Sequence, residues 1–573
     1  MDWNRLLKKI EKYDYVSFDI FDTLVYRMMP SNNTLYELEE ITYTLRFNEK
    51  LEDYKEYRKS VEYNLWNLTR KGEFTFDRIF EEISRRYGKE RSDRLKKIEL
   101  ELEKKFIVKN DIIYEIYKKV IKNKKVIITS DMYLDEEFIN KVLSDLGYDA
   151  YYRLYISGKK RGSKAEGDLF EIISKELGTR RIIHIGDSFK GDYLMPILHG
   201  WHSVKINRFV YSYIDVKKCK SVSDELLLGI CKKGNTDNYW KKLGYTVLGP
   251  LLLGFASWIE SEIKSNEYEK IIFIARDGYI VDKAFKVLYG DKYKTEYLYV
   301  SRKAATIATM NCTEGIEKVL RSFSFRKKEK LSNVLKRMDI RLDDREDAEI
   351  DVDREDLYKG KYNEILDKYY EIIKKNADEQ REYFQNYLKR IFEEKSVVVD
   401  VGWHGTIQNC IRKLLEEKYS IYGLYLGLEK DCGHHKKAYL DKRYFDSNMI
   451  PFTRGIFESF FSAPHGTTER YCITNGVVEP VLSKQLLNSE TQNKLTMLQE
   501  SALEYIKEYK KIISYIGLND IKVNSELISE MILKLCNNPT NFDALCLGDL
   551  LFNDIDNRKL IDIRDGDLRY NIS

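Results

Sequence analysis

The stretch that decides the fold is residues 15–26, YVSFDIFDTLVY. Its first four residues have the apolar and aromatic character of a buried β-strand, and Asp19 follows them at once. Further strand-like runs, separated by helical patterns, lie at Val126–Thr129, Tyr152–Ile156, Arg181–Ile185 and Ser203–Ile206. Such alternation of strands and helices predicts a parallel, doubly wound sheet.

Polar residues stand where several of these predicted strands end. Ser130 follows VIIT, Lys164 lies in GSKAEGDLF, and HIGDSFKGD contributes Asp187 and Asp192. Because the chemistry of open α/β sheets gathers at the carboxyl ends of the strands, we expect these side chains to converge with Asp19. Converging carboxylates form a hard oxygen site suited to Mg²⁺, and a carboxylate nucleophile with a hydroxyl and an ammonium group suits phosphoryl transfer.

The set of motifs, in this order at strand ends, resembles the haloacid dehalogenase (HAD) superfamily over residues 1–206. The resemblance implies a helical cap at about residues 30–120, inserted after the first motif. It also implies Asp19 as the nucleophile, Ser130 as the phosphate-binding hydroxyl and Lys164 as the charge-stabilising lysine. The implied Mg²⁺ ligands are Asp19, the backbone carbonyl of Phe21, Asp187 and Asp192.

One position departs from the pattern of the phosphatases in that superfamily. Their general acid is an aspartate two positions after the nucleophile, where this chain has Phe21. General acid catalysis contributes about 10²–10⁴-fold, so Asp22, Asp131 or a cap residue would have to substitute, with Asp22 as our catalytic candidate. An apolar residue here also resembles the dehalogenases of the superfamily, which the pair Asp187 and Asp192 disfavours because hydrolytic dehalogenation needs no metal.

A second block of alternating strands and helices follows. Its predicted strands are Ile271–Ala275, Tyr297–Val300, Ser396–Asp400 and Tyr422–Gly427, with helices at Ile280–Leu288 and Ile407–Glu417. Three short polar motifs follow three of these strands. They are Arg276-Asp277-Gly278, then Ser301-Arg302-Lys303, and finally Asp400 with Gly402, Gly405 and Thr406. Cations and backbone amides at such turns predict an anion-binding edge.

This block, a predicted domain of residues 241–482 with a helical insertion at about 315–392, resembles the type I phosphoribosyltransferases over about residues 265–430. The resemblance implies a pyrophosphate loop at Arg276–Gly278, basic residues at Arg302 and Lys303, and Asp400 for ribose hydroxyls. It implies a loop from Gly402 to Thr406 for the 5-phosphate of phosphoribosyl pyrophosphate. Trp403, His404, Gln408 and His465 have no role in that pattern, and a turn-forming Rossmann-like domain without this chemistry is the alternative.

Composition bounds the remaining possibilities. The chain has 573 residues, 43% of them hydrophobic, which suits several packed domains at about 150 residues each. Its formal net charge of +4 argues against a nucleic-acid binder. The eight cysteines form no CxxC pair, and the most apolar run, residues 245–259, contains Gly and Pro; both features favour a cytoplasmic protein without an integral membrane segment. We predict a linker at 207–240 and a helical segment at 483–573.

Together the two halves predict an α/β protein with two Rossmann-like parallel-sheet domains and a bifunctional activity. The second would transfer 5-phosphoribose from phosphoribosyl pyrophosphate to a glycan or sugar acceptor, and the first would remove the 5-phosphate with Mg²⁺. The alternatives are a sugar-phosphate phosphatase fused to a binding module, and a scaffold in which Phe21 marks lost catalysis.

Overall fold

The computed structural model describes two compact units. The described residues are 3–69, 75–160, 162–211, 213–313, 315–340, 346–415, 419–428, 435–440, 450–484, 487–518, 521 and 523–547. The first unit is built from residues within Met1–Thr246 and Lys507–Ile521, and the second from residues within Val247–Ile506 and Lys522–Ser573.

The first unit is organised around a five-stranded parallel sheet. Its strands are Tyr15–Phe18, Lys125–Ser130, Arg153–Ile156, Ile182–Gly186 and His202–Lys205. In space the third strand lies at one edge, followed by the second, first, fourth and fifth. The first strand is therefore central, with Val16 paired to both Val126 and Ile183. This confirms the predicted parallel α/β architecture, and the order reverses between the first and fourth strands.

Helices cover this sheet and form an inserted cap. The helices around the sheet are Trp3–Ile10, Asp111–Val120, Glu136–Asp145, Ser157–Lys160, Asp168–Leu177 and Met195–Leu198. The cap helices are Asn32–Phe47, Tyr54–Thr69, Phe76–Tyr87 and Lys89–Phe106. An antiparallel pair of short strands, Val25–Arg27 and Ile107–Lys109, closes the insertion. The cap therefore ends at Phe106 rather than near residue 120, because the next helix packs on the sheet through Tyr117 against Phe18.

A buried ionic centre holds the cap together. The fully buried Arg58 donates two hydrogen bonds to Glu99, from Nε at 2.9 Å and from Nη2 at 2.8 Å. The same guanidinium lies 3.4 Å from the hydroxyl of Tyr133, which follows Ser130 by three residues. Since a buried charge is tolerated only when it is paired, this centre fixes the cap helices at one geometry.

The predicted linker at 207–240 is instead folded into the first unit. It contains the helix Val222–Cys231, eight of whose residues are buried, and the short helix Tyr239–Leu243 begins at its end. Thr34 of the cap donates a 2.6 Å hydrogen bond to Glu225 of this helix. The mixed charge that suggested a linker belongs to the flanks of an apolar run, LLLGIC, which packs inside the unit.

The second unit contains another five-stranded parallel sheet. Its strands are Lys270–Ile274, Thr295–Leu298, Ser396–Asp400, Tyr422–Tyr425 and Lys436–Ala438. In space the second strand is at one edge, followed by the first, third, fourth and fifth. The helices beside it include Gly249–Asn266, Gly278–Tyr289, Arg302–Thr309 and Thr406–Leu414. The four predicted strands are thus present, and the fifth was not predicted.

The rest of the second unit is mostly helical. The insertion contains the helices Ile316–Leu320, Leu331–Arg337, Arg354–Tyr358, Asn363–Asp367 and Tyr370–Ile391, and the strand pair Lys328–Lys330 with Asp351–Asp353. An unpredicted antiparallel hairpin joins Thr468–Thr474 to Val477–Leu482. The other helices are Ile450–Phe460, Ser525–Asn537 and Asn541–Leu547, together with the part of the helix Ser489–Ile516 that precedes Lys507.

One helical run among the described residues is long and apolar enough to cross a membrane. It is Tyr239–Asn266, and 89% of its most apolar window is buried inside the protein. Burial of this extent is typical of a core helix in a soluble protein.

Candidate active site

Three carboxylates meet at the carboxyl edge of the first sheet. Asp19 follows the first strand directly and Asp187 follows the fourth, and these two strands are neighbours. Asp192 lies in the helical turn after Asp187, and oxygens of the three carboxylates all lie within 4.8 Å of one another. Exposure is 5% for Asp19, 5% for Asp187 and 1% for Asp192. The three side chains therefore form one buried acidic cluster at the point where the strand order reverses.

Lys164 is the counter-ion of this cluster. Its Nζ lies 2.5 Å from Oδ1 of Asp19 and 2.6 Å from Oδ1 of Asp192, and the lysine is 5% exposed. Burial alone would lower the pKa of Lys164, but the two carboxylates raise it above its ordinary value. The ammonium group is thus held charged between the two aspartates.

Asp131 anchors the loop that carries Lys164. Its carboxylate accepts hydrogen bonds from the backbone amide of Lys164 at 2.7 Å, from the amide of Ala165 at 3.1 Å and from the hydroxyl of Ser163 at 3.0 Å. With both oxygens engaged in this way, Asp131 positions the lysine. It is therefore a poor candidate for the missing proton donor.

A network of hydrogen-bonded side chains lies next to the acidic cluster, and the sequence analysis did not predict it. His184, which is fully buried on the fourth strand, has Nε2 at 3.0 Å from Asp192 and Nδ1 at 2.8 Å from the hydroxyl of Ser17. Ser17 in turn lies 2.9 Å from the hydroxyl of Thr129. Inward-facing polar residues on otherwise apolar strands were the signal that would have identified this network. Burial lowers the pKa of His184, with Asp192 opposing the shift.

Asp192 is held in place by its own backbone turn. Its Oδ2 accepts the amide of Ser188 at 2.9 Å, and a Cβ at Gly186 would lie 2.5 Å from the Asp192 carboxyl carbon. Any larger residue at position 186 would therefore push Asp192 out of the cluster.

The electrostatics of the cluster favour a bound cation. Burial raises the pKa of Asp19 to about 8, with Lys164 opposing the shift and Asp192 adding to it. Burial also raises the pKa of Asp187, which Arg208 opposes. For Asp192, Lys164 and His184 outweigh burial and lower the pKa below its ordinary value.

These oxygens fit a small divalent cation. Carboxylate oxygens are the ligands that Mg²⁺ prefers, and three of them at this spacing can share one ion. Asp19, Asp187 and Asp192 are the residues that would hold it. The backbone carbonyl of Phe21 as a further ligand stays a prediction.

The remaining predicted residues of this edge lie around the cluster. Ser130 ends the second strand, next to the first, and is 2% exposed. The guanidinium of Arg27 covers the Phe21 ring at 4.1 Å. Asp22 has a left-handed backbone with φ of 55°, and its carboxylate lies 4.0 Å from Nζ of Lys232. The side chain after Phe21 is thus turned by the backbone into contact with a cation.

The carboxyl edge of the second sheet gathers charges in a looser arrangement. Arg276 and Asp277 follow the first strand, and Gly278 begins the next helix. Arg276 donates from Nη1 to Thr467 at 2.9 Å, and its Nε is buried without a hydrogen-bond partner among the described residues. A Cβ at Gly278 would lie 3.1 Å from the backbone of Phe273, so a small residue is needed where strand passes into helix.

The basic motif after the second strand divides into different roles. Ser301 caps the helix Arg302–Thr309 by accepting the amide of Ala304 at 3.0 Å, and it donates to the carbonyl of Thr468 at 2.6 Å. Lys303 pairs with Asp339 at 3.5 Å. Arg302 interacts electrostatically with Asp277 and Asp400 at this edge.

The motif after the third strand forms a turn around Asp400. Its carboxylate accepts the amides of Val401 and Gly402, and a Cβ at Gly402 would lie 2.7 Å from Oδ2 of Asp400. Gly405, with φ of 64°, precedes the helix that Thr406 begins. A Cβ at Gly405 would meet the side chain of Lys436 at 2.6 Å. This turn thus presents backbone amides to a carboxylate and places a lysine beside them.

Acidic residues dominate the centre of this second edge. Burial raises the pKa of Asp277 to about 8, with Asp400 and Glu458 adding to the shift and Arg276 and Arg302 opposing it. Glu458 and Thr467 were not predicted, and they come from segments far along the chain. The structure therefore brings Arg276, Asp277, Arg302 and Asp400 together, while Lys303 and Ser301 serve other contacts.

The unassigned residues of the second unit have structural contacts. Gln408 accepts from the hydroxyl of Tyr425 at 2.8 Å and donates to the carbonyl of His435 at 3.0 Å. His465 accepts from Tyr297 through Nε2 at 2.8 Å, since its Nδ1 lies 2.9 Å from the carbonyl of Gly466. Trp403 packs against Phe457.

Comparison with known proteins gives likenesses for a third of the chain. A scan against protein-family models and a search of curated proteins gave no match. Among solved structures, the chain is similar to a HAD-hydrolase, YfnB, from Bacillus subtilis bound to magnesium, with 16% identity, a TM-score of 0.27, and coverage of 34% of this chain and 89% of that one. It is similar to a HAD-family enzyme of Bacteroides thetaiotaomicron in complex with magnesium and inorganic phosphate, with 14% identity, a TM-score of 0.25, and coverage of 35% and 96%. For the L-2-haloacid dehalogenase of Xanthobacter autotrophicus the values are 12% identity, a TM-score of 0.27, and coverage of 36% and 84%.

Proposed function

We propose that the first unit hydrolyses phosphate monoesters through a phosphorylated Asp19. The observation that carries this proposal is the convergence of three buried carboxylates and one buried ammonium group where the strand order of the first sheet reverses. Polar groups that are held this far from water need a partner, and a phosphate with a divalent cation supplies one for each of them.

The reaction uses each residue in a defined way. The Asp19 carboxylate attacks the phosphorus atom, the bond between phosphorus and the ester oxygen breaks, and the leaving oxygen takes a proton from Asp22. Water then attacks the phosphorus atom of the phosphoryl group on Asp19 and gives a proton to Asp22. The bond between phosphorus and the Asp19 oxygen breaks, inorganic phosphate leaves, and both carboxyl groups return to their starting states. The Ser130 hydroxyl donates a hydrogen bond to a phosphate oxygen. Lys164 neutralises charge on the nucleophile and on the transferred group.

Asp19, Asp187 and Asp192 would hold Mg²⁺, which when bound offsets the repulsion between the nucleophile and the phosphate. His184 keeps Asp192 oriented, and Asp131 keeps Lys164 in place.

A covalent intermediate at Asp19 is the sharpest test. The full chain is incubated with Mg²⁺ and a phosphomonoester, quenched in acid and mapped by peptide mass spectrometry. We expect one phosphoryl group on the peptide that contains Asp19, and none in the Asp19→Asn variant. A matched control is Asp14→Asn, at the opposite end of the same strand, which should keep the signal. Hydrolysis without phosphorylation of Asp19 would overturn the proposed mechanism.

We further propose that the second unit transfers 5-phosphoribose from phosphoribosyl pyrophosphate to a glycan acceptor. The supporting observation is the gathering of Arg276, Asp277, Arg302 and Asp400 at the reversal point of the second sheet. The acceptor oxygen would form a bond to the anomeric carbon while the bond from that carbon to pyrophosphate breaks, and the hydroxyl proton would pass to the departing pyrophosphate. The product would still carry a phosphate monoester, which is the substrate class proposed for the first unit.

Product analysis separates the two activities. With phosphoribosyl pyrophosphate, Mg²⁺ and a panel of glycans, we expect the wild-type protein to add an unphosphorylated pentose. The Asp19→Asn variant should accumulate the phosphorylated pentose, and Asp400→Asn should lose the transfer while retaining hydrolysis of simple phosphomonoesters. If no acceptor gains pentose mass although hydrolysis persists, the first unit is a phosphatase and the second a binding module.

A further inference from the structure

Three cations from separate segments of the first unit surround the residues that follow Asp19. Arg27 belongs to the strand Val25–Arg27, Arg208 follows the last strand of the first sheet, and Lys232 follows the helix Val222–Cys231. Two of them come from the segment that the sequence suggested was a linker. We call these three residues the basic triad.

The surroundings of Lys232 show that the three cations of the basic triad lie near one another. Its side chain is 11% exposed, and Nζ lies 3.2 Å from the carbonyl of Met29 and 4.0 Å from Asp22. Burial lowers the pKa of Lys232, and the charges of Arg27 and Arg208 lower it further, while Asp22 opposes them. The fold thus holds a largely buried ammonium group within electrostatic range of two guanidinium groups.

Arg208 is the accessible member. Its side chain is 62% exposed although its Nε bonds to the buried carboxylate of Asp187. In the described part of the chain this is the hydrogen bond that its guanidinium makes, so its two amino groups remain available to a ligand. The charge of Asp22 acts on Arg208 as well as on Lys232, so Asp22 lies near both cations.

Arg27 completes the triad from the side of the cap. Its guanidinium makes two contacts with Glu103, at 2.8 and 3.0 Å, and covers the ring of Phe21. Phe21 and Asp22 are the second and third residues after Asp19. The basic triad therefore lies beside Phe21 and Asp22, which follow the proposed nucleophile Asp19 closely in the chain.

We propose that the basic triad binds a second anionic group, a phosphate or a carboxylate, on the leaving group of the substrate. This inference rests on the proposed phosphatase function and specifies its substrate class. Each cation of the basic triad has one carboxylate partner, Glu103, Asp187 or Asp22, and the amino groups of the exposed Arg208 are left for an anion on the ligand. An anionic one forms charge-assisted hydrogen bonds with Arg208 and Lys232, and such bonds are the stronger kind.

The test compares three two-carbon phosphomonoesters that differ in one group. They are ethylene glycol monophosphate, phosphoglycolate and ethylene glycol bisphosphate, which end in a hydroxyl, a carboxylate and a phosphate. We expect the wild-type kcat/KM for an anionic ester to exceed that for the hydroxyl ester by about ten-fold or more, as for hydrogen bonds to charged groups. A preference for phosphoglycolate alone, or for the bisphosphate alone, identifies the group.

The variants Lys232→Gln and Arg208→Gln should each reduce this preference towards unity, and Lys232→Arg should keep it. Lys233→Gln is the matched control, because Lys233 is 42% exposed and pairs with Glu508 instead. An equal preference in wild type, Lys232→Gln and Arg208→Gln would overturn the inference, as would the absence of any preference in the wild type.

A binding experiment tests this inference independently of the proposed phosphatase function. Calorimetry with Asp19→Asn measures the affinity for ethylene glycol bisphosphate without turnover, alone and with Lys232→Gln added. If no ester is hydrolysed but the bisphosphate binds at least about ten-fold more weakly to the double variant, the phosphatase proposal fails and the anion site stands. If the affinity is unchanged by Lys232→Gln, the basic triad is not the binding site.

Discussion

The two parallel sheets of this protein share one topological feature, a point where the strand order reverses, but different side chains lie there. In each, polar residues follow the two strands between which the strand order reverses, the place where open α/β sheets bind ligands. At the first edge the charges touch, with Lys164 within 2.6 Å of two carboxylates. At the second edge, Asp277 and Asp400 interact through space, and Arg276 is turned to Thr467.

This difference indicates which kind of ligand each edge would bind. The first has a rigid set of oxygens at the spacing of one small cation, with His184 and Asp131 fixing its members from behind. At the second edge, two arginines and three carboxylates act on one another through space, a set of charges that suits a ligand with several polar groups. The topology of the sheet thus determines where a site lies, and the side chains that follow the strands determine which ligand fits it.

The largest expected effect is at the first edge. Replacing Asp19 by Asn removes the nucleophile, and we expect kcat for a phosphomonoester to fall by about 10⁴-fold or more, as when other covalent catalysts lose their nucleophile. Steady-state hydrolysis of p-nitrophenyl phosphate by the full chain measures it, with Asp14→Asn as the control. Comparable rates in the two variants would mean that the acidic cluster is not the catalytic centre.

The variant Lys164→Met tests whether the carboxylates of Asp19 and Asp192 need the Lys164 ammonium group as their counter-ion. Loss of the lysine leaves two buried carboxylates without their counter-ion, so the free energy of unfolding in EDTA should fall by about 3 kcal/mol or more. Mg²⁺ should recover more of it in this variant than in the wild type. Chemical denaturation with and without Mg²⁺ provides the measurement, and Lys159→Met, on an exposed side chain, is the control. An equal Mg²⁺ effect in all three proteins would contradict the shared role of the carboxylates.

Metal binding should distinguish the two edges directly. A ligand present at about 100 times its Kd stabilises the folded state by about 2.7 kcal/mol, so saturating Mg²⁺ should raise the unfolding temperature of the wild type. Asp187→Asn should lose this increase because it removes one of the three oxygens. Asp400→Asn should keep it. Loss of the increase in Asp400→Asn alone would place the metal at the second edge instead.

The sequence predicted the sheets well because buried parallel strands read as short apolar runs. The strand Lys436–Ala438 was not predicted, because it lies at the edge of the sheet and its three residues, two of them lysines, do not form an apolar run. The hairpin at Thr468–Leu482 was not predicted either, although Asn475-Gly476 is a typical hairpin turn, with φ of 50° and 78° in the structure.

The candidate site was predictable to the extent that its residues follow strands. Asp19 and Asp187 could be found because each comes directly after an apolar run. Lys232 and Arg208 could not, since their contact with Asp22 and Asp187 depends on how a segment of mixed charge folds back. Likewise, nothing local to Glu458 marks it as a neighbour of Asp277.

The last expected effect, small for each step in pH, is a pH dependence of stability that arises at the second edge. Burial, Asp400 and Glu458 raise the pKa of Asp277 to about 8, above its ordinary value of 3.8. Between these values the folded state binds more protons than the unfolded state, so this group makes stability fall as pH rises from about 4 to 8. Asp277→Asn removes the group and should flatten the slope by less than the one-proton limit of about 1.4 kcal/mol per pH unit. Unfolding temperatures of both proteins across this range measure it, and the gain from the substitution should grow with pH. A gain that shrinks as pH rises would show that Asp277 is already ionised in the folded protein.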